Sequence, residues 1–233
     1  MIDLNKYKLI DLTHEMYDEM PGWPTHPIFK IEQLKIMDTD GYNVKQLIMN
    51  THHGTHMDAP SHMLKEGKTC SEYSIQKFMG NGRVVDLSYK KPREAIEKDD
   101  LSNFSIKRGE IVLLYTGWGS KRGWNEEYLY SWPYLDTSGA EYLAEIGISA
   151  VGTDGLSIGA WAGSTVVAGP VSKTAIKVHQ ILLKRDILIF EELANLDYVL
   201  NGDKEREAYF IILPLSLRGA DGSPVRAIAI VSD

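Results

Sequence analysis

The sequence is poor in cysteine and has no long apolar segment. Cys70 is the only thiol among 233 residues, so no internal disulfide can form, and such usage is typical of a reducing compartment. No apolar run reaches the roughly 18 residues that a membrane-spanning helix needs. No secretion signal is visible near the first residue either. The sequence therefore predicts a cytoplasmic protein that is not embedded in a membrane.

Basic residues are also few. Lys and Arg number 25 against 32 Asp and Glu, which gives a net charge of -7, and no long basic run occurs. This balance argues against nucleic acid as a partner. The content of 43% hydrophobic and 24% charged residues is that of a globular protein. Because repeats and low-complexity linkers are missing, residues 1–233 are predicted to form a single domain.

Short apolar segments separated by a few amphipathic ones predict an α/β fold, with a mixed sheet or barrel and helices on its face. The predicted strands cover residues 7–12, 29–37, 44–49, 83–87, 110–115, 150–152, 187–190, 210–213 and 227–231. The predicted helices cover residues 69–79, 98–104, 138–146 and 175–184. Prolines at positions 21, 24 and 27 exclude a helix from residues 17–27, which are predicted to form an irregular arm.

The histidines are concentrated in one segment. Four of the seven lie within eleven residues, together with one carboxylate: His52, His53, His56, Asp58 and His62. Imidazole and carboxylate groups are ligands for zinc, manganese or iron. An isolated histidine is better explained as a core or surface residue, but this density of ligand types favours a metal site.

The spacing within this cluster favours an extended backbone. The even positions share one face of an extended segment: His52, Gly54, His56, Asp58 and His62. Gly54 would then leave room for an ion, and His53 would point to the other face. The alternative is a helix with two histidines four residues apart, as in HExxH metalloproteases. It is disfavoured because position 53 is not Glu and because Gly54 and Pro60 weaken a helix.

The pattern His52-x-Gly54-Thr55-His56-x-Asp58-x-Pro60-x-His62 resembles the signature of the cyclase family of metal-dependent hydrolases. That family includes bacterial kynurenine formamidases (arylformamidases) and isatin hydrolases. Further similar segments cover nearly the whole chain: residues 11–13, 20–24, 83–87 and 153–157, and His179 followed by Glu191. The chain differs from the formamidases in having Thr25-His26 after Trp23-Pro24, and Glu192 after Glu191.

This resemblance implies a swivelling β/β/α domain, a mixed sheet rolled towards a barrel with helices packed outside. It also implies a homo-oligomer, either a dimer or a tetramer, in which arms are exchanged between subunits. Residues 17–27 would suit such an arm.

The resemblance further implies a paired metal site, with two zinc ions per chain or manganese in their place. Its ligands would be His52, His56 and Asp58 for the first ion, and Asp58, His179 and Glu191 for the second. Together the ions would hold a metal-bound hydroxide as nucleophile, and His62 would be the catalytic acid and base. Three tryptophans could line an aromatic substrate pocket: Trp23, Trp118 and Trp161.

A competing motif is Gly155-Leu156-Ser157-Ile158-Gly159, which matches the nucleophile elbow of α/β-hydrolases. That fold needs an acid between the serine and the catalytic histidine, and none lies between Ser157 and His179. Gly163, Gly169 and Pro170 also argue against a helix after the serine. The segment from Gly155 to Gly169 is therefore interpreted as a glycine-rich loop near the metal site.

The sequence thus predicts a metal-dependent amidohydrolase for a small formamide, amide or lactam, with N-formylkynurenine as the leading substrate. Within the same family, a cyclase or a lactam or ester hydrolase acting on another aromatic molecule is the alternative. A metal-binding module without enzymatic activity is a third possibility. It is disfavoured because a closed structural zinc site needs no free base such as His62.

Overall fold

The computed structural model of the chain describes residues 6–162 and 172–232, so the end of the predicted glycine-rich loop lies outside the described residues. The strands are β1 Tyr7–Asp11, β2 Lys30–Lys35, β3 Val44–Ile48, β4 His56–Asp58, β5 Met79–Asp86, β6 Ala95–Ile96, β7 Ile111–Tyr115, β8 Tyr134–Leu135, β9 Ala150–Thr153, β10 Leu188–Glu191, β11 Glu205–Pro214 and β12 Gly222–Ser232. The α-helices are α1 Met37–Asp40, α2 Lys98–Leu101, α3 Glu126–Tyr130, α4 Thr137–Ile146, α5 Lys173–Leu183 and α6 Leu196–Leu200. Short 3-10 turns cover Pro60–His62, Cys70–Glu72, Ile75–Phe78 and Trp118–Lys121.

Seven strands close into a barrel in the order β12-β11-β5-β7-β9-β10-β4, with β4 returning to β12 and β1 added alongside β12. Strands β5, β7, β9 and β10 run parallel to one another, and the other pairs in the ring are antiparallel. The ring closes through β4, whose edges pair with β10 on one side and with the start of β12 on the other. The predicted mixed sheet rolled towards a barrel is confirmed.

Alternate residues along the strands face opposite sides of this barrel, as pleated backbone requires. Val84 belongs to an apolar cluster to which all seven strands contribute, so this cluster is the barrel interior. Its neighbour Val85 belongs to a second cluster, which holds the buried faces of α4 and α5. Helices therefore pack on the outside of the barrel. Helix α5 lies against β10 and is capped by Ser172, whose hydroxyl accepts hydrogen bonds from the backbone N–H groups of Thr174 and Ala175.

The helix predicted over residues 69–79 is wrong. The segment consists of two separate 3-10 turns, Cys70–Glu72 and Ile75–Phe78, and then enters β5. Thr69 and Glu72 form a reciprocal capping box that closes the first turn. Ser74 then adopts an extended conformation before the second turn. The extended backbone at Tyr73 and Ser74 therefore interrupts the segment and prevents a continuous helix.

Residues 17–27 contain neither helix nor strand, and Met20, Pro21 and Gly22 within them are buried. They lead into a hairpin of β2 and β3 that pairs only with itself. Every residue of β3 is exposed, including the apolar side chains of Leu47 and Ile48. Across the described residues, none of the helices combines the length and apolar character needed to cross a membrane.

Two glycines of β5 give a matched test of the barrel register. A Cβ on Gly82 would lie 1.9 Å from the carbonyl oxygen of Ile111 on β7, whereas a Cβ on Gly80 would have nothing within 4 Å. Gly82→Ala must push the two strands apart, so we expect a loss of about 1–3 kcal/mol or more. That corresponds to a fall in melting temperature of roughly 2–4 °C per kcal/mol. Gly80→Ala should change the melting temperature little, and equal losses would contradict this register.

Candidate metal centre

The candidate site lies on the outer face of the barrel, where β4 and β10 meet beneath α5. In the antiparallel pairing of these strands, His56 lies opposite Glu191 and Asp58 lies opposite Ile189. Met57, between the two β4 ligand candidates, points into the barrel interior. His56 and Asp58 therefore both face outwards, towards His179 on α5.

The backbone of the histidine segment is extended over a shorter stretch than its spacing predicts. Only His56–Asp58 forms a strand, while His52 lies in the preceding turn and His62 ends the 3-10 turn Pro60–His62. Gly54 has a φ of 66°, and a Cβ there would meet Met20 at 3.4 Å. Its role is therefore to turn the chain against this methionine, rather than to leave room for an ion, because the left-handed region favours glycine.

The carboxylate of Asp58 lies between two groups of candidate ligands. Its Oδ1 is 2.8 Å from Nδ1 of His52 and 3.5 Å from Nε2 of His56. Its Oδ2 is 3.6 Å from Nε2 of His179. Glu191 spans the remaining side, with Oε2 3.4 Å from His56 Nε2 and Oε1 3.4 Å from His179 Nε2. Two groups that could each hold a metal ion thus share Asp58.

The histidine rings are fixed with a lone pair facing the carboxylates. Nδ1 of His56 lies 2.7 Å from the carbonyl oxygen of Gly54, and Nδ1 of His179 lies 2.7 Å from that of Ala175. A carbonyl only accepts, so in each neutral ring Nδ1 carries the proton and Nε2 does not. Two unprotonated nitrogens then face two carboxylates, an arrangement that needs a cation between them.

Distances and burial support a metal ion as this cation. Ligand atoms 2.0–2.1 Å from a tetrahedral zinc lie about 3.3 Å apart, close to the separations of 3.4 to 3.6 Å among His56, Asp58, His179 and Glu191. Oδ2 of Asp58 is also buried without any hydrogen-bond partner among the described residues. A buried carboxylate oxygen with no donor costs several kcal/mol unless a cation reaches it.

Electrostatics show that the cluster favours positive charge. Burial lowers the pKa values of His56 and His179, but the carboxylates of Asp58 and Glu191 outweigh burial and raise both above the ordinary value. Burial has the opposite effect on Asp58 and raises its pKa, yet His62, His52 and His56 hold that pKa well below its usual range. The cluster thus favours positive charge at its centre, which a proton or a divalent metal can supply.

Glu191 is held in place by the segment that carries the serine motif. Its Oε1 accepts hydrogen bonds from the Ser157 hydroxyl at 2.9 Å and from the Ile158 backbone at 2.7 Å. Residues 158–162 are not helical. Ser157 therefore orients a candidate metal ligand and is not placed on the strand-to-helix turn of a nucleophile elbow.

The structure adds one residue that the sequence did not indicate. Oδ2 of Asp221 lies 3.1 Å from Nε2 of His52 and 3.4 Å from Nδ1 of His62. Asp221 immediately precedes β12 and lies more than 150 positions after both histidines. It contacts them because β12 pairs with β4. An Asp-Gly pair between two strands is an ordinary turn signal, so nothing in the sequence distinguished it.

A cavity of about 100 Å³ opens onto this cluster. Its described lining includes His52, His56, His62, His179 and Glu191, together with Trp23. Trp118 and Trp161 are not among the lining residues. Trp118 is buried and donates its indole N–H to the Tyr128 carbonyl, and Trp161 packs edge-on against Trp23 at 4.9 Å between ring centroids. Trp161 therefore packs against the lining residue Trp23, and Trp118 belongs to the same buried aromatic cluster.

Glu192 is buried beside the site rather than exposed, with 1% of its surface accessible. Its Oε2 accepts hydrogen bonds from Arg122 at 3.2 Å and from the Tyr128 hydroxyl at 3.1 Å. Burial raises the pKa of Glu192, and the Arg122 guanidinium opposes this rise. The side chain next to Glu191 is thus part of a separate buried ion pair.

Replacing each of these neighbouring glutamates should give different results. Glu191→Ala removes both carboxylate contacts to the imidazoles, so we expect metal content by elemental analysis to fall sharply. Glu192→Ala should leave metal content unchanged but lower the melting temperature. Its loss leaves Arg122 without its carboxylate partner, at a cost of about 3–5 kcal/mol. Equal loss of metal in the two variants would contradict the assignment of Glu191.

Comparison with known proteins agrees with this geometry. The family model described as "Putative cyclase" matches residues 10–160. A kynurenine formamidase of Bacillus cereus (strain ATCC 10987 / NRS 248) is 35% identical over 220 residues, covering 94% of this chain and 95% of the relative. The kynurenine formamidase of Bacillus anthracis is 35% identical over 222 residues, or 95% and 96% of the two chains.

Solved structures share the fold at lower identity. Isatin hydrolase A from Labrenzia aggregata superimposes with a TM-score of 0.84 at 24% identity, covering 98% of this chain and 95% of the other. A metal-dependent hydrolase described as having cyclase activity gives a TM-score of 0.75 at 24% identity, with 97% and 99% covered. With formamidases related along nearly their full length, this chain is an amidohydrolase enzyme and belongs to the cyclase family.

Proposed function

We propose that this enzyme hydrolyses the amide bond of a small N-formyl arylamine, with N-formylkynurenine as the leading candidate. The observation that carries the proposal is the cavity itself. Its floor is the cluster centred on Asp58, and His62 and Trp23 both line it. A base, a metal site and an aromatic wall thus surround one small volume, which suits a small carbonyl group carried by an aromatic ring.

The residues that would hold two metal ions are those that share Asp58. His52, His56 and Asp58 form one group, and Asp58, His179 and Glu191 form the other. Bound divalent metal lowers the pKa of a water ligand and polarises a substrate carbonyl. Imidazole and carboxylate donors without thiolate suit zinc, and manganese is the alternative. A carboxylate between the ions reduces the repulsion between their charges.

His62 would move the proton in this reaction. It ends the 3-10 turn that follows β4, lines the cavity and is half-buried, so it can reach both substrate and solvent. The imidazole accepts a proton from the attacking water and returns it to the nitrogen of the leaving amine. An imidazole suits both steps because one ring can accept a proton and then donate it.

Trp23 would position the aromatic part of the substrate. Its ring is held by Trp161 at 4.9 Å and Trp132 at 5.9 Å, both measured between centroids, so its own orientation is fixed. The curated relatives are named kynurenine formamidases, and formylated aryl amines are the class that such a wall accommodates. His26, at the same cavity, is a polar group available to the remainder of the substrate.

Metal removal tests the proposed chemistry directly. Treatment with chelator should abolish hydrolysis of an N-formyl arylamine, and zinc or manganese should restore it, because the proposed mechanism needs the metal to lower the pKa of the attacking water and to polarise the carbonyl. Asp58→Asn should lose both metal equivalents, whereas His179→Ala should retain one, since only Asp58 belongs to both groups. Hydrolysis that survives complete demetallation would rule out this function, and faster turnover of isatin than of formamides would shift the substrate to lactams.

We also propose that the enzyme is a homo-oligomer in which a second copy covers the β2–β3 hairpin. A two-stranded sheet that pairs only with itself is marginally stable in water. Leu34 and Leu47 on this hairpin are 51% and 57% exposed. The outer face of β1 and β11 is also apolar, with Leu9 52% and Tyr209 37% exposed. Two separate apolar surfaces on one chain suit association with another copy of itself.

Light scattering coupled to size exclusion tests this arrangement. Leu47→Asp places a charge on the exposed hairpin and should shift the enzyme towards monomer. Tyr198→Asp is the matched control, because Tyr198 is similarly exposed, at 59%, but belongs to α6 and not to the hairpin, β1 or β11. It should leave the mass unchanged. A wild-type enzyme that is monomeric at micromolar concentration would refute the proposed oligomer.

A further inference from the structure

Asp221 stands at the point where the barrel closes over the metal centre. Its backbone carbonyl accepts a hydrogen bond from the Ala59 backbone at 2.8 Å, and the next residue, Gly222, pairs with Asp58. The position of Asp221 is therefore set by the same strand pairing that places the shared carboxylate. Its side chain is 43% exposed, so it lies at the mouth of the site rather than in the core.

The Asp221 carboxylate is held by three side chains. Oδ1 accepts a hydrogen bond from the Thr51 hydroxyl at 2.9 Å. Oδ2 faces Nε2 of His52 at 3.1 Å and Nδ1 of His62 at 3.4 Å. The two imidazole rings are neighbours, with centroids 4.2 Å apart. One oxygen therefore contacts both the candidate metal ligand and the candidate base.

Gly222 shows that the chain is shaped around the His52 ring. A Cβ at this position would lie 2.6 Å from Cε1 of His52 and 2.8 Å from the backbone oxygen of Met57. Any larger residue would displace the ring from Asp221. Asp221 and Gly222 thus hold the His52 ring together. The Asp221 carboxylate contacts the edge of the ring, and Gly222 packs against it without a side chain.

These contacts decide which nitrogen each ring offers to the reaction. When His52 donates Nε2–H to Asp221, the lone pair lies on Nδ1, which faces Asp58 at 2.8 Å. When His62 donates Nδ1–H to the same oxygen, its acceptor is Nε2. Ligating histidines commonly donate their second N–H to a carboxylate, which fixes the ring and its tautomer.

We propose that Asp221 is a positioning residue that orients His52 for metal binding and His62 for proton transfer at the same time. Asp221, His52 and His62 lie close enough together that they could also hold an ion themselves, but in the proposed role Asp221 acts only through the two rings. Its effect on metal binding acts through His52, and its effect on turnover acts through His62. The turnover part of this inference rests on the proposed hydrolase function, whereas the metal-binding part does not.

The test compares Asp221→Ala, Asp221→Asn and Asp203→Asn in the full-length enzyme. Asp203 is an exposed aspartate in the turn before β11 and is the control. Zinc affinity is measured by competition with a chromophoric chelator, without substrate. The constants kcat and KM are measured with an N-formyl arylamine at saturating zinc. Thermal unfolding of each metal-free variant shows whether it remains folded.

We expect Asp221→Ala to weaken zinc binding and to lower kcat by about 10–100-fold each, with KM changed less than kcat. Asp221→Asn keeps an acceptor oxygen for the rings and should recover most of both losses. In a His62→Ala background, Asp221→Ala should cause no further loss of kcat at saturating zinc, because its route to turnover is already absent. Asp203→Asn should resemble the wild type.

Three outcomes would overturn the inference. Unchanged zinc affinity and kcat in Asp221→Ala would show that the carboxylate orients neither ring. If Asp221→Ala lowered kcat as much in the His62→Ala background as it does in the wild type, Asp221 would not act through His62. If Asp221→Ala lost one whole zinc equivalent while the other zinc ion bound with unaltered affinity, Asp221 would be a metal ligand and not a positioning residue. A wild type that binds zinc but hydrolyses no formamide would refute the proposed function, while the zinc affinities still test Asp221 itself.

Discussion

The buried carboxylate of Asp58 is the constraint on which the rest of the site depends. It is 1% exposed, and its Oδ2 has no hydrogen-bond donor among the described residues. A charge in that position must be balanced by other charges or it destabilises the fold by several kcal/mol. Two of the surrounding imidazoles, His56 and His179, are held by backbone carbonyls with their Nε2 lone pairs inwards, so as neutral rings they do not donate to it. Nδ1 of His52 lies 2.8 Å from the other carboxylate oxygen of Asp58. A cation among these groups, either a proton or a metal ion, therefore stabilises this part of the fold.

Barrel closure and the metal site depend on the same three-residue strand. Strand β4 pairs with β10 through one edge and with β12 through the other, and so completes the ring. The first pairing sets His56 opposite Glu191, and the second sets Asp58 opposite Gly222. Met57 between them anchors the strand in the barrel interior. A site built on paired strands is more rigid than one built on loops, which the fixed geometry of metal ligation requires.

Around this rigid floor the structure separates two buried charged groups that are adjacent in sequence. Glu191 faces the imidazoles, while Glu192 has a φ of 52° and turns away towards Arg122 and Tyr128. The left-handed backbone at Glu192 lets successive side chains serve different partners. Both glutamates line the cavity, but Glu191 faces the candidate metal ligands whereas Glu192 pairs with Arg122. Trp23 in turn is presented by aromatic neighbours that do not line the cavity themselves.

The sequence by itself determined the α/β class, most strand positions and the ligand types, because apolar alternation and the density of imidazoles are local signals. The choice of a barrel over an open mixed sheet came from the resemblance to the cyclase family. The sequence failed over residues 69–79, where extended backbone at Tyr73 and Ser74 separates two short turns. The Tyr73 hydroxyl donates to Asp186, 113 positions away, a contact that only the folded chain forms. The sequence also could not assign Gly54 to a turn against Met20, since that contact is formed only in the folded chain. Tertiary structure alone decided that Asp221 meets His52 and His62. Strand pairing brings together residues more than 150 positions apart, and no local pattern encodes such a pairing.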